Sequence, residues 1–101
     1  MKIVWTSLAS KSYNLIIDYL IQKWNLTIVK DFVLEVEKAM SLIYENPECF
    51  QRWEANMQYR KGHVNELVSF FYRVYEGEIV VHLFWGNYQS PKKLQKLLLN
   101  P

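Results

Sequence analysis

The sequence predicts an α+β domain in which an antiparallel pair of helices packs on one face of a largely antiparallel sheet. Three observations carry that expectation. Apolar residues recur at helical spacing over 8–45 with a single break near Asn25. The pattern changes to alternation over 57–85, after Pro47. The chain has 101 residues, about half of them apolar, which suits one domain spanning 1–101 with a real core.

The elements follow in chain order. "KIVW" (2–5) is a short β-rich start, and Thr6 and Ser7 offer N-cap oxygens to the next segment. Over 8–24, Leu15, Ile16, Tyr19, Leu20 and Trp24 recur at helical spacing and predict one amphipathic helix that stops at Asn25. Thr27 can cap a second helix, whose stripe runs through Val29, Phe32, Val33, Val36, Ala39, Met40 and Ile43. Pro47 ends it by disfavouring helical geometry at Asn46. So short a link between two long helices implies an antiparallel pair. A linker at 49–56 leads to strands at 57–64, 67–75 and 78–85, a three-stranded antiparallel meander. Leu94, Leu97 and Leu98 at helical spacing add a short C-terminal helix.

The surest turn is Glu76-Gly77, because glycine accepts the positive φ of a tight hairpin. Pairing outward from it sorts the side chains by alternation. One face holds Val68, Phe70, Tyr72, Val74, Ile79, Val81, Leu83 and Trp85, and the helices are expected to cover it. The other holds Ser69, Phe71, Arg73, Val80, His82 and Phe84, a mixed face left open unless the C-terminal segment or a partner covers it. If Asn65-Glu66 turns the preceding hairpin, Arg60 pairs with Phe71 and joins Arg73 and His82, while Lys61 falls on the core face.

Composition narrows the chemistry. A formal charge of +2 permits nucleic acid or an acidic protein as partner without demanding either. Four Trp and seven Tyr either fill a small core or serve a partner surface. The single Cys49 fits a reducing compartment, and "KIVWTS" lacks the apolar core of a secretory signal, so a cytoplasmic protein without membrane span is expected. His63 and His82 are the only histidines and fall on different strands, so no metal or other cofactor is expected. Asp31 and Glu35 share a helix face and read as solvated. Arg52, Arg60, Lys61, Arg73, Lys92 and Lys93, with Tyr59 and Tyr88 among them, make an aromatic and basic half that suits RNA or an acidic protein segment.

With "YRVYEGEIVVHLFW" at its centre, the order strand, helix, helix and antiparallel strands resembles the RelE/ParE superfamily of toxins of type II toxin–antitoxin systems. "VWTSLASKSYNLIIDYLIQKW" resembles the family's opening strand and first helix, "NPECFQRW" its following loop, and "QYRKGHV" its arginine-bearing strand. "NYQSPKKL" is similar to an ending common in the ParE-like, plasmid-stabilisation branch, with Tyr88 where an arginine is usual. The resemblance implies a growth-inhibiting toxin neutralised by a cognate antitoxin whose partly disordered segment folds on it. It offers two targets. ParE-like members inhibit DNA gyrase without cleavage, and RelE-like members cut messenger RNA on the ribosome. In a metal-independent ribonuclease, Arg60 and Arg73 would stabilise charge, and His82 or Tyr88 would move protons. In a binding toxin, Arg60, Phe71, Arg73, Val80, His82, Phe84, Tyr88, Lys92 and Lys93 would form the antitoxin or target surface. The small net charge favours the gyrase-type inhibitor, with the ribonuclease second and a toxin fold without toxicity third.

Overall fold

The computed structural model describes residues 1–99, with the side chain of Leu99 left aside. The chain runs β1 (Lys2–Trp5), α1 (Ser7–Lys23), α2 (Leu26–Glu45), β2 (Arg52–Trp53), β3 (Asn56–His63), β4 (Val68–Tyr75), β5 (Glu78–Gly86) and α3 (Pro91–Leu99). The strands form one five-stranded sheet in the order β1-β5-β4-β3-β2. The expected α+β layout holds, including the C-terminal helix. The two-residue β2 lies inside the predicted linker, too short to show a period. β1 pairs parallel with β5, Ile3 against Ile79 and Trp5 against Val81, and every other pairing is antiparallel.

Helix boundaries follow the caps. Thr6 Oγ1 accepts from the Ala9 N–H at 3.0 Å and starts α1. Asn25 serves α2 in the same way, its Oδ1 accepting from the Ile28 N–H at 3.1 Å. The residue expected to stop one helix thus starts the next, and Thr27 lies inside it. Asn46 is extended at φ −142° and ψ 95°, as the proline after it requires. The α2 stripe is as predicted, with Val29, Phe32, Val36, Ala39 and Ile43 buried. In α1, Ile16 is buried and Leu20 half-buried, but Leu15, Tyr19 and Trp24 face outward. Five positions two wide are more than one core stripe can hold, since neighbours diverge by about 100° around a helix.

The β4–β5 hairpin turns at Glu76-Gly77 as predicted, with Gly77 at φ 78°. Near the turn Arg73 pairs with Val80 and Tyr72 with Val81, but the next β4 residue, Phe71, pairs with Leu83. His82 is therefore an extra residue, a β-bulge. It shares a face with Leu83, and alternation resumes one step out of phase. Phe84 consequently lies with the helices, whereas Leu83 and Trp85 lie on the opposite face with Phe71. This corrects the alternation-based assignment of those three residues.

Two cores result. Between the sheet and α1/α2, Phe32, Val36, Ile43, Phe70, Tyr72, Ile79, Val81 and Phe84 are essentially inaccessible. On the other side, α3 sets Leu94 and Leu98 against Tyr59, Phe71, Leu83 and Trp85. Past Trp5, β1 no longer covers the edge of β5, and side chains from the start of α1 take over. Thr6 Oγ1 donates to the His82 carbonyl at 3.0 Å, and Ser12 Oγ accepts from the Phe84 N–H at 3.0 Å while donating to the Ala9 carbonyl. Ser12→Ala leaves that buried N–H without a partner. It is expected to cost about 1–3 kcal/mol in urea unfolding, where a surface serine would cost little.

Candidate protein-binding sheet face

The half of the second face that α3 leaves open is built around Arg73. Its guanidinium carbon lies 5.0 Å from the centre of the Tyr75 ring and 5.6 Å from that of Tyr59. The Tyr59 ring meets His82 edge-on at 5.2 Å. Val80, opposite Arg73 in the ladder, and its parallel partner Val4 add an aliphatic floor. Among the described residues Arg73 forms no ion pair, while nearby Lys2 is 3.8 Å from Glu78. The arrangement presents a cation framed by aromatic and aliphatic groups, which suits a partner segment carrying both acidic and apolar side chains.

His82 Nε2 is buried without a hydrogen-bond partner. Burial, reinforced by the charge of Arg73, pushes its pKa below the ordinary value of 6.5. The imidazole is therefore held neutral in the folded state and binds a proton more readily when unfolded. Stability from this group is complete above pH 6.5, falls as pH drops below it, and levels off beneath the depressed folded value. Thermal unfolding across that range should show the slope, and His82→Gln should flatten it.

The structure disperses the other residues expected on this face. Arg60 pairs with Tyr72 rather than Phe71, because the β3–β4 connection spans Val64–Leu67 instead of turning at Asn65-Glu66. Asn65 Oδ1 accepts from the N–H groups of both Leu67 and Val68 and sets that longer loop. The one-step change in register turns Arg60 to the helix side, where Nη1 donates to the Phe50 carbonyl at 2.8 Å and Nη2 lies 4.0 Å from Glu48. Tyr72 donates to the Pro47 carbonyl at 2.8 Å beside it, and burial raises that phenol to about 12. Both residues clamp the loop after α2. Lys61 moves to the second face opposite Phe71, which removes the charge expected in the core.

Phe71 is fully buried, with Trp53 at 4.7 Å between ring centres, and Phe84 is buried against Trp5. Neither is available as a contact surface. Tyr88 stacks on Tyr19 of α1 at 5.1 Å, its ring folded against Gly86. Lys92 and Lys93 are exposed in the first turn of α3. Of the nine residues expected in one surface, Arg73, Val80 and His82 stand together.

Two features escape the sequence reading. A cleft of about 550 Å³ beside β2 is lined by Cys49, Arg52, Trp53, Lys61 and His63, with Arg52 Nη1 donating to the Met57 carbonyl at 2.9 Å. A second cleft, of about 420 Å³, opens at Tyr19, Trp24 and Tyr88. The excess of apolar positions in α1 was the one signal for it. Among the described residues no cluster of three or more His, Cys, Asp and Glu could hold a metal, and no helix is long and apolar enough to cross a membrane.

No protein-family model matches the chain, and no curated protein matches it by sequence. Its likeness is to solved structures. A chain of the chromosomal ParDE TA system from P. aeruginosa shares 21% identity at a TM-score of 0.67, over 85% of this chain and 95% of that one. The YoeB/ParE toxin from Agrobacterium tumefaciens shares 17% at 0.61, over 87% of this chain and all of that one (100%). YafQ from E. coli strain BL21(DE3) shares 13% at 0.59, over 85% of this chain and 92% of that one. The chain shares the fold of these solved structures, the α+β layout that the sequence resemblance implied.

Proposed function

We propose that this chain is the toxin of a type II toxin–antitoxin pair, of ParE-like kind. It stops growth by binding an essential protein, DNA gyrase, and a cognate antitoxin neutralises it in the cytoplasm. The toxin fold supports the general class. One observation carries the choice of inhibitor over nuclease: the four side chains a ribonuclease would draw on do not converge. Arg60 is bound to the loop after α2, Arg73 and His82 sit on the opposite sheet face, and Tyr88 stacks on α1. Acid, base and charge stabiliser must surround one phosphate, so this scatter supports a binding role. Arg73, Val80 and His82, with Tyr75 beside them and the buried Tyr59 ring beneath, form the proposed contact surface for antitoxin or target, and Lys92, Lys93 and Tyr88 form a second, separate part of it.

The second reading, a ribosome-dependent endoribonuclease, draws support from the cleft that brings together Arg52, Lys61 and His63. Induction of the chain alone in a bacterial host separates the two. Growth arrest with filamentation, a DNA-damage response and inhibition of gyrase supercoiling by the purified protein is the expected result. Rapid loss of translation with cleaved messages would establish the nuclease instead. Unimpaired growth with the folded protein present would mean a toxin fold without toxicity. Arg73→Gln is expected to lower gyrase inhibition or antitoxin affinity at least about tenfold without changing thermal stability much.

A further inference from the structure

The cleft at Tyr19, Trp24 and Tyr88 lies away from the Arg73 face and shares only Tyr88 with the contact surface proposed above. Leu20 and Ile28 floor it, and Leu67 of the β3–β4 loop closes one side. Its aromatic rim is open to solvent, with Trp24 63% and Tyr88 53% exposed. Tyr and Trp side chains around an apolar floor are the residue types that dominate protein interfaces. Asp31 and Glu35, one turn apart on α2, line the same cleft. Neither forms an ion pair among the described residues, and no lysine or arginine is among the lining residues.

We propose that this cleft receives an amphipathic helix of a partner protein, its apolar face seated on Trp24, Leu67 and Tyr88, and its lysine or arginine side chains set on Asp31 and Glu35. The helical form follows from the backbone. Away from the α1–α2 junction, the N–H and C=O groups of the two helices at the cleft are spent within those helices, and Asn65 Oδ1 is already taken by Leu67 and Val68. An extended segment would bury its own backbone groups without partners, whereas a helix satisfies them internally. The basic character follows from the two unpaired carboxylates, which would also repel nucleic acid and anionic lipid. The inference stands independently of the toxin reading, and its test uses no growth assay.

The probe is a synthetic helical peptide with leucines along one face flanked by lysines, titrated into the full chain and followed by ¹⁵N NMR. The Trp24 indole N–H and the amides of Tyr19 and Tyr88 are expected to shift and saturate. The same peptide with glutamates for lysines should bind about tenfold more weakly, and the double variant Asp31→Asn/Glu35→Gln should erase that difference. Trp24→Ala should weaken binding while leaving the thermal transition in place, since the side chain is mostly exposed. Equal binding of the two peptides, or shifts confined to residues outside the cleft, would overturn the proposal. So would a concentration-dependent dimer in sedimentation that Trp24→Ala abolishes, which would make the occupant a second copy of this chain.

Discussion

Phe84→Ala is expected to cost about 3–5 kcal/mol in stability, read as the change in free energy from urea unfolding. Strict alternation from the hairpin turn puts this ring on the open face, where truncation would cost a fraction of that. The structure instead leaves it 1% exposed, 4.7 Å from Trp5, 5.5 Å from Tyr13 and 5.9 Å from Phe70 between ring centres. Those neighbours come from a strand, a helix and the sheet itself, so they cannot collapse together into the cavity that alanine would leave. A loss under about 1 kcal/mol would show that the ring is not in the core. Deleting His82 provides the complementary test of the bulge. His82 and Leu83 share a face, so removing His82 restores a regular strand in which Leu83, Phe84 and Trp85 keep their sides. The deletion should lose the contacts of His82 and strain the Thr6 bridge at the edge, yet still unfold cooperatively. If it unfolds the protein outright, the extra residue is more than an insertion into an otherwise regular ladder.

Much of the fold was legible because its signals are local. The Thr6 cap, the α2 stripe, the proline stop and the Glu76-Gly77 turn each act within a few residues and could be read in place, whereas the cap of α2 falls on Asn25 and not on Thr27. What escaped depends on a count along a strand. A side-chain period of two carries no record of an inserted residue, so His82 moved Leu83, Phe84 and Trp85 to the opposite faces with no change in composition to mark it. The β3–β4 loop failed in the same way, by one step, and carried Arg60 out of the proposed site. There the sequence did hold a warning. A register that buries Lys61 in the core violates the cost of burying an unpaired charge, and the observed register removes the violation. Of the candidate surface, Arg73, Val80 and His82 stay on one face because Arg73 and Val80 lie between the turn and the bulge and His82 is the bulge itself, so the count from the turn is still correct up to it. Tyr59 joins them only through the longer loop.

A double-mutant cycle at Gly62 and Phe70 should show strong coupling. The two residues face each other in the β3–β4 ladder, and the tip of the Phe70 ring lies over the glycine. A Cβ at position 62 would stand 2.2, 2.4 and 2.8 Å from three atoms of that ring. An exposed ring could swing aside at small cost. Phe70 is fully buried, with Phe50 edge-on at 5.7 Å, Tyr72 stacked at 5.6 Å and Phe84 at 5.9 Å, so any displacement passes to three other rings. Gly62→Ala is therefore expected to destabilise by about 1–3 kcal/mol, although alanine favours an extended strand over glycine. Phe70→Ala should cost about 3–5 kcal/mol through the cavity it opens. In the Phe70→Ala background the new methyl at position 62 enters that cavity, and its penalty should vanish or reverse, a coupling of about 1–3 kcal/mol. Additive losses would mean that the ring does not rest on Gly62, and with it the register that carries Arg60 to the helix side and Lys61 to the open face would fall.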